Sequence, residues 1–163
     1  MVNCFLSLGS NMGDRINNIN NAIKLIDESS ENSILLKSEI YKSKAMYNTK
    51  LKDFYNIVIK IKTTLSPSDL LDYFKNIEQK MGRINRGHRY SNRPIDIDIL
   101  SYGDKVINSK DLTIPHPRIE ERKFVLKPWS DIDSSYILAS SNKKILDLLN
   151  ETSDNSILSI IKE

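Results

Sequence analysis

Arg93-Pro94-Ile95-Asp96-Ile97-Asp98-Ile99-Leu100 alternates bulk and charge with a period of two, the pattern of a β-strand. Successive side chains of a strand leave on opposite faces, so Ile95, Ile97 and Ile99 fill one side while Asp96 and Asp98 share the other. Two carboxylates one pleat repeat apart repel each other, and burying either is costly unless a cation lies between them. The bland reading is the wet face of an amphipathic edge strand. Against it, aspartate is disfavoured in strands, and two on one face forgo the usual cross-strand packing. The neighbourhood also argues for a site. From Lys80 to Arg93 the chain carries Lys80, Arg83, Arg86, Arg89, Arg93 and His88 without one acidic residue. Arginine forks match phosphate oxygens, and magnesium favours few carboxylates with water and phosphate completing its shell. The combination points to chemistry on a polyphosphate, with Gly87 giving the basic loop freedom to close.

Working outward from that strand, Val2 to Leu8 reads as a first strand and Gly9 to Asp14 as the turn after it. Ile16, Ile19, Ile23 and Ile26 mark a helix running to about Glu28, with Asp14 as its cap. Ser33 to Tyr41 is a second strand, Lys42 to Lys52 a loop, and Phe54 to Thr63 a third strand with Tyr55, Ile57, Ile59 and Ile61 on one face. Ser66-Pro67-Ser68-Asp69 opens a second helix, which ends near Gly82. Strand, helix, strand, strand, helix, strand is the order of an α+β, ferredoxin-like βαββαβ core, a mainly antiparallel sheet with helices packed on one face. Beyond it, Lys105 to Asn108 predicts a short strand, and helices are expected near Arg118 to Arg122 and Ser141 to Leu149.

With 163 residues, 39% of them hydrophobic, the chain has the size of one domain, 1–163, with a core of its own. It holds no apolar run near the roughly 20 residues of a membrane helix, and Met1-Val2-Asn3-Cys4 lacks the basic start of a signal peptide. A cytoplasmic protein with no membrane partner is expected. Cys4 is the single cysteine, set in an apolar run, so it reads as a small buried hydrophobe. A net charge of +3 is too mild to imply nucleic acid. Where the charges sit matters more than their sum.

Other segments are read the same way. Gly9-Ser10-Asn11-Met12-Gly13 lacks the lysine and spacing of a P-loop. Pro115-His116-Pro117-Arg118 is stiff, and a histidine held between prolines, with Arg122 a turn beyond Arg118, is placed to face an anion. Phe54, Asn56 and Phe124 are ordinary core candidates, yet a flat heteroaromatic ligand needs stacking rings and an amide.

In order and spacing, Leu8-Gly9-Ser10-Asn11-Met12-Gly13-Asp14-Arg15, Phe54-Tyr55-Asn56, Ile77-Glu78 with Gly82-Arg83, the Arg93 to Leu100 strand and Leu112-Thr113-Ile114-Pro115-His116-Pro117-Arg118 resemble the 6-hydroxymethyl-7,8-dihydropterin pyrophosphokinase family. The resemblance covers Val2 to about Leu126. It implies Mg2+-dependent transfer of a diphosphoryl group from ATP to a pterin alcohol, with release of AMP, in folate biosynthesis. By the same resemblance Asp96 and Asp98 hold two magnesium ions, and Arg83 and Arg93 stabilise developing charge. His116 and Arg122 bind phosphate, while Glu78, Thr113 and the backbone around Ile99 lie at the nucleoside and Tyr90 helps close the site. Asn56 reads the pterin edge between Phe54 and Phe124, with Ser43 and Met46 contributing, in a protein expected to be a monomer.

The chain departs from the family pattern at Ser91-Asn92, where members commonly carry Gly-Pro, at Asn85, where arginine is common, and at Ser43 to Tyr47, where the loop is usually richer in proline and glycine. Two rival readings stand beside this one. A ferredoxin-like sheet also serves RNA-binding modules, though these carry aromatics where this strand carries acids. A metal-dependent nucleotidyltransferase uses paired aspartates too, but releases pyrophosphate.

Overall fold

The computed structural model describes residues 1–83 and 91–163. Strand β1 (Val2–Ser10) leads through a turn to helix α1 (Arg15–Asp27), whose first turn is closed by the Asp14 carboxylate accepting from the Asn17 amide at 3.1 Å. Strands β2 (Asn32–Lys37) and β3 (Ile40–Ser43) follow, then β4 (Phe54–Thr63) and helix α2 (Pro67–Lys80). Ser66 caps α2, its hydroxyl accepting from the Asp69 amide. Strand β5 (Asp96–Tyr102) completes the βαββαβ core.

The sheet runs β3-β4-β1-β5, every pair antiparallel, with β2 continuing alongside β4. That is the ferredoxin-like order. One expected strand, Ser33 to Tyr41, is in fact two. Ser38 interrupts it by spending its side chain on the ladder: its hydroxyl accepts from the Val58 amide at 3.0 Å while its own amide donates to the Val58 carbonyl. Strand β1 also runs two residues past Leu8, through Gly9 and Ser10, which the turn signal had placed outside it, and Lys42 and Ser43 belong to β3 instead of the loop.

Chain beyond the core departs further from expectation. Ile107–Asn108 (β6) pairs with Thr113–Ile114 (β7) in a separate ribbon. The helix expected at Arg118 to Arg122 is a three-residue 3-10 turn, Ile119–Glu121, and the true helix α3 (Lys123–Asp133) starts after it. Pro128 lies inside α3, where proline usually breaks a helix, and the cap comes from afar: the Lys123 amide donates to the Asp154 carboxylate at 2.9 Å. Neither feature is a local start signal. Strands β8 (Ile137–Leu138) and β9 (Lys143–Lys144) form a second ribbon, so α4 (Ile145–Glu151) begins later than Ser141, and β10 (Ser159–Ile161) pairs with the outer edge of β3.

The two helices of the core pack on one face of the sheet, as expected, and the C-terminal helices cover part of the other. Leu6, Leu8, Ile57, Ile59, Ile97 and Ile99 pack under α1 and α2 against Ile19, Ile23, Phe74 and Ile77. On the opposite face Phe5, Val58 and Leu100 pack against Val125, Leu126 and Trp129 of α3 and Ile145 and Leu148 of α4. Trp129 stacks within 4.8 Å of Phe5, ring centre to ring centre, and is fully buried. This second cover reaches along only part of its face, and the bare remainder is where the site lies.

Candidate active site

Two residues along each central strand from the covered core, the same face turns polar. Phe5 is followed by Ser7 and Gly9, Val58 is preceded by Asn56 and Phe54, and Leu100 by Asp98 and Asp96. Strand register sets Gly9 opposite both Asn56 and Asp96, and Ser7 opposite Asp98. These residues floor a cleft of about 720 Å³, walled on one side by residues 43–51 and on the other by His116, Arg118, Arg122 and Phe124. A Cβ at Gly9 would crowd the floor, 3.2 Å from Asn56 Oδ1 and 3.5 Å from the Phe54 ring, so glycine lets the two strands lie close there.

Arginines converge on the carboxylates from three directions. Gly82, at φ +91°, ends α2 in the left-handed conformation and turns the chain so that the Arg83 amide donates back to the Glu78 carbonyl. Arg83 Nη1 then reaches Asp96 Oδ1 at 2.6 Å and Glu78 Oε1 at 2.7 Å. Arg93 Nη1 lies 3.4 Å from Asp96 Oδ2, and Arg122 Nη1 lies 3.9 Å from Asp98 Oδ2. Arg122 Nε is buried and has no hydrogen-bond partner among the described residues, an unspent donor beside an acidic pair.

His116 is fixed by its backbone and by its ring. Its amide donates to the Leu100 carbonyl, and Nδ1 accepts from the Arg118 amide at 3.1 Å. With Nδ1 accepting, the ring proton belongs on Nε2, which stands 4.0 Å from Asp98 Oδ2.

Electrostatically the acidic side is undercompensated. Asp98 is held well above the ordinary carboxylate range, first by burial of the carboxyl and then by the Asp96 charge, with Arg122 opposing. Its side chain still keeps about a third of its accessible area, the part that opens onto the cleft. Glu78 is pushed up to about 7, mainly by burial and next by Asp96, although Arg83 and the Ile97 amide, donating at 2.8 Å, pull the other way. Among the described residues no three acidic, histidine or cysteine side chains form a complete metal cage. Two carboxylates open to solvent suit magnesium, which keeps water and ligand phosphates in its shell.

Asn56 is buried in the floor of the cleft, its amide donating to Ser43 Oγ at 2.8 Å and to the Tyr41 carbonyl at 3.4 Å. Phe54, Met46 and Phe124 line the same space, and the Arg122 guanidinium lies 5.7 Å from the centre of the Phe124 ring. The cleft thus gathers Ser43, Met46, Phe54, Asn56, Glu78, Arg83, Arg93, Asp96, Asp98, His116, Arg122 and Phe124. Thr113 lines instead an adjoining pocket of about 360 Å³ that meets the cleft at His116 and Pro117, and the Ile99 side chain is core. Tyr90, with Asn85, Arg86, Gly87, His88 and Arg89, lies outside the described residues. Three contributors lie outside the candidate site residues that the sequence offers. Ser7 and Gly9 enter by strand register, and Tyr47 by ring contacts with Arg118 at 5.0 Å and Arg122 at 5.8 Å.

Paired carboxylates set among arginines on an antiparallel α+β sheet define a site of the class that takes anionic groups. The comparisons name the family. Residues 5–134 match the model of 7,8-dihydro-6-hydroxymethylpterin-pyrophosphokinase, and the chain belongs to that family of folate-synthesis enzymes. It is 35% identical to the 2-amino-4-hydroxy-6-hydroxymethyldihydropteridine pyrophosphokinase of Haemophilus influenzae over 98% of this chain and 99% of that one. To the enzyme of the same name from Aquifex aeolicus it is 42% identical, covering 84% of each chain. Against the folic acid synthesis protein fol1 of Pneumocystis carinii it is 42% identical, but spans only 20% of that longer protein. The Plasmodium falciparum HPPK-DHPS structure shares the fold at a TM-score of 0.73 and 19% identity, over 93% of this chain and 43% of that one.

Proposed function

We propose that this chain transfers the diphosphoryl group of ATP to the hydroxymethyl oxygen of 6-hydroxymethyl-7,8-dihydropterin and releases AMP. The observation that carries the reading is the placement of Asp96 and Asp98 on one face of β5, within reach of Arg83, Arg93, Arg122 and His116 and in the same cleft as Asn56. In the transfer, a bond forms between the pterin oxygen and the β-phosphorus. The bond from that phosphorus to the oxygen bridging it to the α-phosphorus breaks, its electron pair leaving with that oxygen on AMP, and the hydroxyl proton passes to solvent.

Asp96 and Asp98 are the residues to hold Mg2+, two ions by the family resemblance, which when bound would offset phosphate charge. The protein's own share is orientation and charge. Arg122, its Nη1 3.9 Å from Asp98, and His116, its Nε2 4.0 Å from the same carboxylate, are assigned to phosphate oxygens. Arg83, now spent on Glu78 and Asp96, becomes available as the triphosphate competes for it, with Arg93 beside it. Asn56, braced by Ser43, reads the polar edge of the pterin, and Phe54, Phe124 and Met46 cover its faces. Glu78, Thr113, the Ile99 backbone and Tyr90 are assigned to the nucleoside and to closure over it.

Residues 1–163 are read as one such domain, a cytoplasmic monomer acting on small molecules, with neither nucleic acid nor membrane as partner. No helix among the described residues is long and apolar enough to cross a membrane. Phosphorus NMR of the protein with ATP, Mg2+ and the hydroxymethyl dihydropterin tests the reaction. AMP and a pterin diphosphate are expected; ADP or free pyrophosphate as the nucleotide-derived product would overturn it.

A further inference from the structure

Asn11, immediately after β1, is fully buried, yet it does not line the cleft. Its polar atoms are spent on two distant parts of the chain. Oδ1 accepts from the Arg93 amide at 2.7 Å, and its own amide donates to the Arg93 carbonyl at 3.2 Å. Nδ2 donates to Asn92 Oδ1 at 3.0 Å and to the Lys52 carbonyl at 3.3 Å. Lys52 directly follows Leu51, the last residue of the wall formed by 43–51, whereas Arg93 carries the guanidinium that meets Asp96 at 3.4 Å. Arg15 adds a second tie on the acceptor side, donating to the Asp53 carbonyl at 2.8 Å and to Tyr55 Oη at 3.1 Å.

We propose that Asn11 is a positioning residue for diphosphoryl transfer, a buried amide clasp that fixes the Arg93 arm and the acceptor-side wall relative to each other. This rests on the reaction proposed above. Only a side chain with a donor and an acceptor on one planar group serves both partners at once. Aspartate keeps the acceptor for the Arg93 amide but turns an oxygen toward two other oxygens, and alanine strands all of them. Misplacement of a catalytic group by about 1 Å can cost on the order of a hundredfold in rate, so a clasp on the backbone of Arg93 is felt at the phosphates.

A double-mutant cycle on kcat tests this with the full chain, Mg2+, saturating ATP and the hydroxymethyl dihydropterin. Asn11→Ala is expected to lower kcat by about tenfold or more, but by less than about twofold in an Arg93→Ala background, because the clasp acts through that arginine. Losses that simply multiply would overturn the inference, since general loosening of the fold would multiply in that way. If Asn11→Ala does not fold, Asn11→Ser, too short to reach the Arg93 amide, takes its place in the cycle with the same two outcomes. Asn11→Asp separates the other half: the pterin KM should rise severalfold with a smaller loss of kcat than in Asn11→Ala, and an unchanged KM would contradict the link to the acceptor wall. A wild-type chain that forms no AMP would refute the reaction itself; an active wild type with multiplicative losses refutes only the role of Asn11.

Discussion

The two ends of one sheet face make opposite use of the same strands. Where Phe5, Val58 and Leu100 point outward, α3 and α4 cover them and the residues serve as core. Two residues further along, Ser7, Asn56 and Asp98 occupy equivalent positions in the pleat and line a cleft. The covered end gains stability from apolar burial, at roughly 25 cal/mol for each Å² removed from water. At the open end, Asp98 and Glu78 are held with their ionised forms disfavoured, a cost to the empty fold that a bound cation and an anionic substrate would offset. Stability and chemistry are thus separated by a single pleat repeat, so substitutions at the two ends should fail in different ways.

The largest effect is expected from Asp98→Ala, which removes a metal-ready oxygen set: diphosphoryl transfer should fall by about a thousandfold or more, near 4 kcal/mol of transition-state stabilisation, in a steady-state assay of AMP release. Trp129→Ala is the counterpart at the covered end. It should cost about 3 kcal/mol of folding stability in urea unfolding, while the molecules that remain folded turn over normally. Appreciable loss of specific activity there would blur the division between the two ends.

Asn56→Ala lies nearer the boundary. It leaves the Ser43 hydroxyl and the Tyr41 carbonyl without their donor and the acceptor without its amide, so the pterin KM should rise by about tenfold or more with a smaller change in ATP KM. A smaller effect concerns pH. Glu78 has a folded-state value raised to about 7, so between pH 4.5 and 7 the folded state holds a proton that the unfolded chain gives up. Its penalty grows as pH rises through that window and stays constant above it. Glu78→Gln should therefore gain stability relative to wild type on the order of 1 kcal/mol at pH 8 and little at pH 4.5, read from paired denaturation curves. An unchanged difference across that range would place the Glu78 proton wrongly.

Much of this was readable from the chain because the strand pattern encodes sidedness. Ile95, Ile97 and Ile99 against Asp96 and Asp98 marked the buried face and put the two acids together on the cleft side, and the caps Asp14 and Ser66 marked their helices to the residue. The failures share a cause, dependence on groups far away in sequence. Helix α3 carries an internal proline and is capped by Asp154, so no local start signal exists for it. Without α3 the second cover went unseen, and with it the boundary that separates core from cleft. The Ser38 break depends on Val58, and Asn11 acquires its meaning only where residues 52, 92 and 93 meet.

The most direct test is the urea-unfolding midpoint of metal-free Asp98→Ala at pH 8 beside that of wild type. If this end of the sheet is held open for ligands at the expense of stability, the variant should unfold at the same or a higher urea concentration even though its turnover is lost. A midpoint lowered as far as that of Trp129→Ala would show that Asp98 supports the fold, contradicting the division on which the reading of the cleft depends.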